Sequence, residues 1–230
     1  MNKTAKLVDR NVQGCLFDMD GLLLDTEIIY TEVTQSIVGR FGRVFDWSIK
    51  GNMIGRPSRD AAGYLVSALD LPITAEQYIE EREVLLRQKF VDCKALSGAE
   101  RLIRHLDANN IPIAVATSSN RDLYALKTMN HMNWFRLFNT VVTGDDPEII
   151  NGKPAPDIFL VAAKRLAIES SAALVFEDAP SGLQAGLDAG MQVITIPDKN
   201  MDKKRYLEAT RVLDSLEQFV PSDFGLPDYH

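Results

Sequence analysis

Phe17-Asp18-Met19-Asp20-Gly21-Leu22-Leu23-Leu24-Asp25-Thr26-Glu27 is the stretch on which the reading of this chain turns. Two carboxylates one residue apart follow the apolar run Val12-Gln13-Gly14-Cys15-Leu16-Phe17, which reads as a short buried strand. Gly21 permits a sharp turn at the strand's C-terminal edge, the edge where open α/β sheets bind ligands. Side chains at i and i+2 of extended chain lie on one side, about 6.5–7 Å apart at Cα, so Asp18 and Asp20 can face one reacting centre. An acidic turn or part of a calcium loop is the plainer reading of the same residues. A calcium loop needs oxygen ligands at alternate positions, however, and Leu22, Leu23 and Leu24 fill that region.

Working outward, strand-like runs at 111–116, 140–143, 173–176 and 192–196 alternate with helical patterns at 98–109, 120–131, 155–167 and 180–189. That alternation predicts a parallel sheet with helices on both faces, joined by the first strand at 12–17. Residues 27–94 break it and read mostly as helix, over 27–41, 58–69 and 75–90. The expected architecture is therefore an α/β core of residues 1–26 and 95–230, Rossmann-like, with an inserted helical cap at 27–94 serving as a lid. The 75–86 segment carries few apolar positions, so its charges read as a solvated face.

The 230 residues are 46% hydrophobic, enough for a sizeable core, and carry a formal charge of −7. That charge argues against nucleic acid or an anionic membrane as partner, because phosphate-backbone affinity rests on clustered Lys and Arg. Cys15 and Cys93 are the only cysteines, with no Cys-x-x-Cys, so neither a zinc site nor a disulfide framework is suggested. The first ten residues lack the apolar run of a signal peptide, and no stretch approaches the ~20 apolar residues of a membrane span. A cytoplasmic monomer is the expectation.

Four strand ends carry polar clusters. Besides Asp18 and Asp20, Ala116-Thr117-Ser118-Ser119-Asn120 ends a strand in hydroxyls and opens a helix, so Thr117 and the following N–H groups can cradle an anion, or cap the helix. In Gly152-Lys153-Pro154-Ala155-Pro156-Asp157 a lysine is held between glycine and proline, although a solvated loop lysine fits too. Phe176-Glu177-Asp178-Ala179-Pro180-Ser181-Gly182 places two adjacent acids after an apolar strand, as a magnesium site or a helix cap would.

These four motifs, in this order and over nearly the whole length, resemble the haloacid-dehalogenase-like phosphatases. Gly144-Asp145-Asp146-Pro147-Glu148, the 152–160 and 176–182 segments and Phe224-Gly225-Leu226-Pro227 look like the pseudouridine-5'-monophosphatase branch. The resemblance implies that Asp18 is a nucleophile forming an aspartyl-phosphate and Asp20 the general acid and base. It implies Mg²⁺ held by Asp18, the Asp20 carbonyl and Asp178, with Glu177 helping through a bound water. Thr117, the Ser118 N–H and Lys153 would then bind the phosphate oxygens, chemistry that suits a reaction needing charge compensation more than covalent machinery.

The substrate implied is a small phosphorylated metabolite, pseudouridine 5'-phosphate first, with sugar or glycerol phosphates as alternatives. Asp20 separates the chain from the family's dehalogenases, since a halide leaving group needs no proton. A phosphomutase resembling β-phosphoglucomutase stays open, because Arg56 and Arg59 stand near the loop where the mutase relatives hold a second phosphate. A sugar-phosphate-binding regulator is the non-enzymatic alternative, and it would have no use for both a nucleophile and a proton carrier. His105, His131 and His230 fall outside the motifs and read as surface or terminal residues, and Trp47 and Tyr30 as helix packing first, with the lining of a base-binding pocket as the alternative.

Overall fold

The computed structural model describes residues 11–54 and 58–229. They fall into two compact units, Asp25–Lys94 and the residues on either side of that segment. In the flanking unit, six strands form one parallel sheet: β1 Gly14–Phe17, β2 Ile113–Ala116, β3 Thr140–Val142, β4 Ala173–Glu177, β5 Gln192–Thr195 and β6 Arg211–Val212. Their spatial order is β3-β2-β1-β4-β5-β6. The chain thus winds from β1 to one side, then returns to β4 and winds to the other, and the crevice at such a switch is where doubly wound sheets bind ligands. β1, β2 and β4 are buried along their whole length, which is why they read as continuous apolar runs rather than as alternating ones.

The described helices are α1 Thr26–Gly39, α2 Trp47–Met53, α3 Ser58–Ala68, α4 Ala75–Phe90, α5 Ala99–Ala108, α6 Arg121–Thr128, α7 Met132–Phe135, α8 Asp157–Leu166 and α9 Pro180–Asp188. In α5 the buried residues Ala99, Leu102, Ile103 and Leu106 recur at helical spacing, the stripe expected of a helix lying on a sheet. The expected helix at 120–131 ends earlier, at Thr128, and tightens into a 3₁₀ turn over Met129–His131 before α7. β6 and α2 were not foreseen: two strand residues and two helical turns are too short to show a periodic pattern. Phe17 stacks on Phe176 with ring centroids 4.6 Å apart, and Phe138 and Phe219 close on this pair edge-first. This aromatic block lies directly beneath the strand ends that carry Asp18 and Glu177.

In the helical unit, α4 starts on a capping box: the Gln77 N–H donates to Thr74 Oγ1, and the Thr74 N–H donates to Gln77 Oε1. Only Tyr78, Leu86 and Phe90 of α4 are buried, in keeping with its polar sequence. The Tyr78 hydroxyl pairs with Thr34 of α1 at 2.9 Å, and Tyr30 packs edge-first on Phe90. No helix among the described residues is long and apolar enough to cross a membrane.

Candidate active site

Phe17 pairs in register with Val115 of β2 and Phe176 of β4, so one step further along the strands brings Asp18, Ala116 and Glu177 to the same level. The Asp18 N–H continues the ladder by donating to the Phe176 carbonyl. Lys153 closes the cluster: its Nζ donates to Asp18 Oδ1 at 2.6 Å, to Glu177 Oε1 at 2.7 Å and to the Ala116 carbonyl at 3.0 Å. An ammonium has three N–H donors, and these contacts use all three, which fixes the position of its charge.

The electrostatics follow from burial. The Asp18 carboxyl is pushed up to about 7, chiefly because it is buried; the Lys153 ammonium opposes this, while the Glu177 and Asp20 carboxylates add repulsion. Burial works against the Lys153 charge as well, but Asp18 and Glu177 outweigh it and hold the ammonium above its ordinary value. Glu177 Oε2 accepts from the N–H groups of Asp178 and Ala179, so both oxygens of this carboxylate are engaged. Its place depends on Gly182, where a Cβ would lie 1.7 Å from Glu177 Oε1. No side chain larger than hydrogen fits there without displacing the carboxylate.

The loop bearing Lys153 is tied down rather than solvated. Arg165 of α8 grips Asp146 through two bonds of 2.8 Å and also holds Glu148, while Asp157 accepts from the N–H groups of Ile150 and Asn151. Arg165 holds the Asp146 carboxyl below its usual range, as a bidentate charge-assisted pair should.

Asp20 turns towards the end of β2. Its Oδ2 accepts from Ser119 Oγ at 2.9 Å and from Thr117 Oγ1 at 3.4 Å, and its Oδ1 accepts from Lys127 Nζ at 2.6 Å. Gly21 follows with φ of +80°, the turn foreseen at this edge. Thr117 is buried, and its Oγ1 accepts from the Ser119 N–H; the Ser118 side chain is exposed. The Asp178 backbone is held from two sides, its N–H by Glu177 and its carbonyl by the hydroxyl of buried Tyr206 at 2.7 Å.

Of the residues singled out in the sequence, Asp18, Lys153 and Glu177 are in direct contact, as are Asp20 and Thr117. Among the described residues no three His, Cys, Asp or Glu side chains gather closely enough to hold a metal ion by themselves. Arg59 lies on α3, 80% exposed and bridged to Glu76 at 2.6 Å, and Arg56 lies outside the described residues. Sequence reasoning placed Ser119 in the hydroxyl cluster without a role of its own, and passed over Lys127 and Tyr206. Lys127 carries a signal too, lying three and four residues after Tyr124 and Leu123 and therefore on the inward stripe of α6.

A switch-point edge carrying a buried Asp–Lys–Glu cluster beside a second aspartate defines a doubly wound α/β protein with an acid-and-lysine site. Residues 15–196 match the model of the haloacid dehalogenase-like hydrolases, and the chain belongs to that family. Among its relatives, (DL)-glycerol-3-phosphatase 2 of Arabidopsis thaliana is 46% identical over 95% of this chain and 93% of its own. The "Probable pseudouridine-5'-phosphatase" of Drosophila melanogaster is 44% identical over 98% of this chain and 99% of its own. A HAD family IA hydrolase structure from Entamoeba histolytica superposes with a TM-score of 0.77, at 26% identity over 93% of this chain and 98% of that one. The family is one of hydrolases and both relatives are named phosphatases; phosphatase activity is the activity of this chain.

Proposed function

We propose that the chain hydrolyses its phosphomonoester through a phosphoaspartate on Asp18. One observation carries this reading: a buried carboxylate at the centre of the sheet edge, held by an ammonium that Glu177 and the Ala116 carbonyl fix in place. The Asp18 carboxylate attacks phosphorus while Asp20 gives a proton to the departing alkoxide. Asp20 then takes a proton from the water that attacks the phosphoaspartate, releasing phosphate and restoring Asp18. Thr117, the Ser118 N–H and Lys153, the last by exchanging one of its three present contacts, would bind the phosphoryl oxygens and supply the charge compensation on which this reaction depends.

Asp18, Asp178 and the Asp20 carbonyl make an all-oxygen donor set, and the Asp18, Asp20 and Glu177 carboxylates at this edge repel one another. Both suit Mg²⁺, which would supply charge neutralisation and a template for the phosphate. Glu177, whose oxygens go to Lys153 and the backbone, would act on this site mainly by holding Lys153.

The substrate we infer is pseudouridine 5'-phosphate, supported by the end-to-end similarity to the Drosophila relative. Residues 27–94 would form the cap that recognises the leaving group, with Arg59 a candidate contact. The Arabidopsis relative favours a second reading, glycerol phosphate. A phosphate-release assay with Mg²⁺ on pseudouridine 5'-phosphate, uridine 5'-phosphate and glycerol phosphate, without a bisphosphate primer, tests both. We expect pseudouridine 5'-phosphate to lead, because only the C-glycoside presents both ring N–H groups at its free edge. Equal rates on the two nucleotides would overturn the pseudouridine assignment, and faster hydrolysis of glycerol phosphate than of either would assign the second reading. Asp18→Asn should abolish turnover while the protein stays folded, and phosphate release at the wild-type rate would remove the mechanism.

A further inference from the structure

Lys127, on α6, is a fully buried lysine. Its Nζ lies 2.6 Å from Asp20 Oδ1 and 2.9 Å from Ser119 Oγ, and that hydroxyl in turn donates to Asp20 Oδ2 at 2.9 Å. The three groups close a triangle in which each carboxylate oxygen of Asp20 has its own donor. A buried ion pair is poor evidence for stability, since apolar residues of similar volume commonly serve as well or better. A reason outside stability is therefore needed for an ammonium at this point of the core. The partner supplies one, because Asp20 is the group whose direction decides where a proton is delivered.

We infer that Lys127, seconded by Ser119, is a positioning residue that fixes the orientation of the Asp20 carboxylate for proton transfer to the leaving oxygen. The inference rests on the reading of Asp20 as general acid. Two donors on different oxygens restrain both the χ1 and the χ2 rotation of an aspartate, whereas one would leave the plane of the carboxylate free. Lys127 itself is anchored through α6, whose first turn is capped by Asn120 Oδ1 accepting from the Leu123 N–H. The strand end that carries Thr117 is thereby coupled to the group that must move the proton.

The test uses leaving groups that differ in their need for a proton. Glycerol phosphate departs as a poor alkoxide, while 2,4-dinitrophenyl phosphate departs as a stable anion. The parameter kcat/KM reports the steps up to the first departure, so hydrolysis of the shared phosphoaspartate does not enter it. For Lys127→Met we expect kcat/KM on glycerol phosphate to fall at least about tenfold further than on the dinitrophenyl ester, part of the roughly 10²- to 10⁴-fold that a general acid supplies. Asp20→Asn sets the full selective loss. An equal fall on both substrates would reduce Lys127 to a packing residue and overturn the inference, as would no fall or a gain on glycerol phosphate. If Asp20→Asn shows no selectivity, the proton role of Asp20 fails and this inference with it; selectivity there but not in Lys127→Met sinks this inference alone. Should Lys127→Met not fold, Ser119→Ala reads the same ratio, with a smaller selective loss expected and an unchanged ratio overturning the claim.

Discussion

The sheet edge of the α/β unit and the helical unit handle charge in opposite ways. In the α/β unit, Lys153, Lys127, Asp18 and Glu177 are buried and paired with one another or with Asp20. In the helical unit, the pairs Arg59–Glu76, Lys89–Glu32 and Arg40–Glu81 stand in solvent, while Lys50, bonded to Glu27 and Thr31, is largely buried. Exposed pairs gain little because water screens them, whereas buried ones must overcome a desolvation cost that Coulomb attraction repays only in good geometry. The helical unit thus uses charge to wet its surface. The α/β unit carries a costly arrangement at its sheet edge, and chemistry explains its retention better than stability does.

Lys153→Met tests that contrast most severely, because it leaves Asp18 and Glu177 buried without their shared cation. Removing one member of a buried pair typically costs about 3–5 kcal/mol, and losing a charge that stabilises the transition state costs about 10²- to 10³-fold in kcat. We expect both losses, read by denaturant melts and phosphate release. A variant as stable and active as the wild type would erase the distinction between the units.

Gly182→Ala makes a subtler break, since it alters no charge. A Cβ at this position collides with Glu177 Oε1, so the carboxylate has to leave its place against Lys153 and the Asp178 and Ala179 N–H groups. We expect a stability loss of about 1–3 kcal/mol, typical of overpacking. Activity should fall by about 10²-fold, as when a catalytic group is misplaced by an ångström. Full activity would show that the Glu177 contact does not position Lys153.

How much of this is legible in the sequence depends on whether the signal is local. Asp18 and Glu177 are visible because an apolar run ends in each, and Lys153 because glycine and proline flank it. The parallel sheet is visible because buried strands alternate with amphipathic helices. The direction of Glu177 is hidden: the sequence pairs it with a metal, while the cavity opened by Gly182 turns it to Lys153 and the backbone. Lys127 is hidden because a lysine on a helix reads as solvated unless the inward stripe is traced through it. Tyr206 reaches the Asp178 carbonyl across 28 residues, and nothing local marks that contact.

The smallest expected effect falls in the helical unit. Arg59→Ala removes an exposed arginine whose partner Glu76 is also exposed, so the lost pair should leave the melting temperature unchanged. Glu76 does lie below its usual carboxylate range, from a bond to its own N–H and from Arg59, but in full solvent that interaction is screened. The variant is therefore a clean probe of recognition. If Arg59 touches the leaving group of the substrate and not its phosphoryl group, that contact is made equally in the ground and transition states. Such uniform binding raises KM several-fold and spares kcat. We expect that split in steady-state kinetics on the preferred phosphomonoester, with Glu76→Gln behaving like the wild type. A KM unchanged in Arg59→Ala would return this arginine to the solvated surface that the rest of the helical unit's charge occupies.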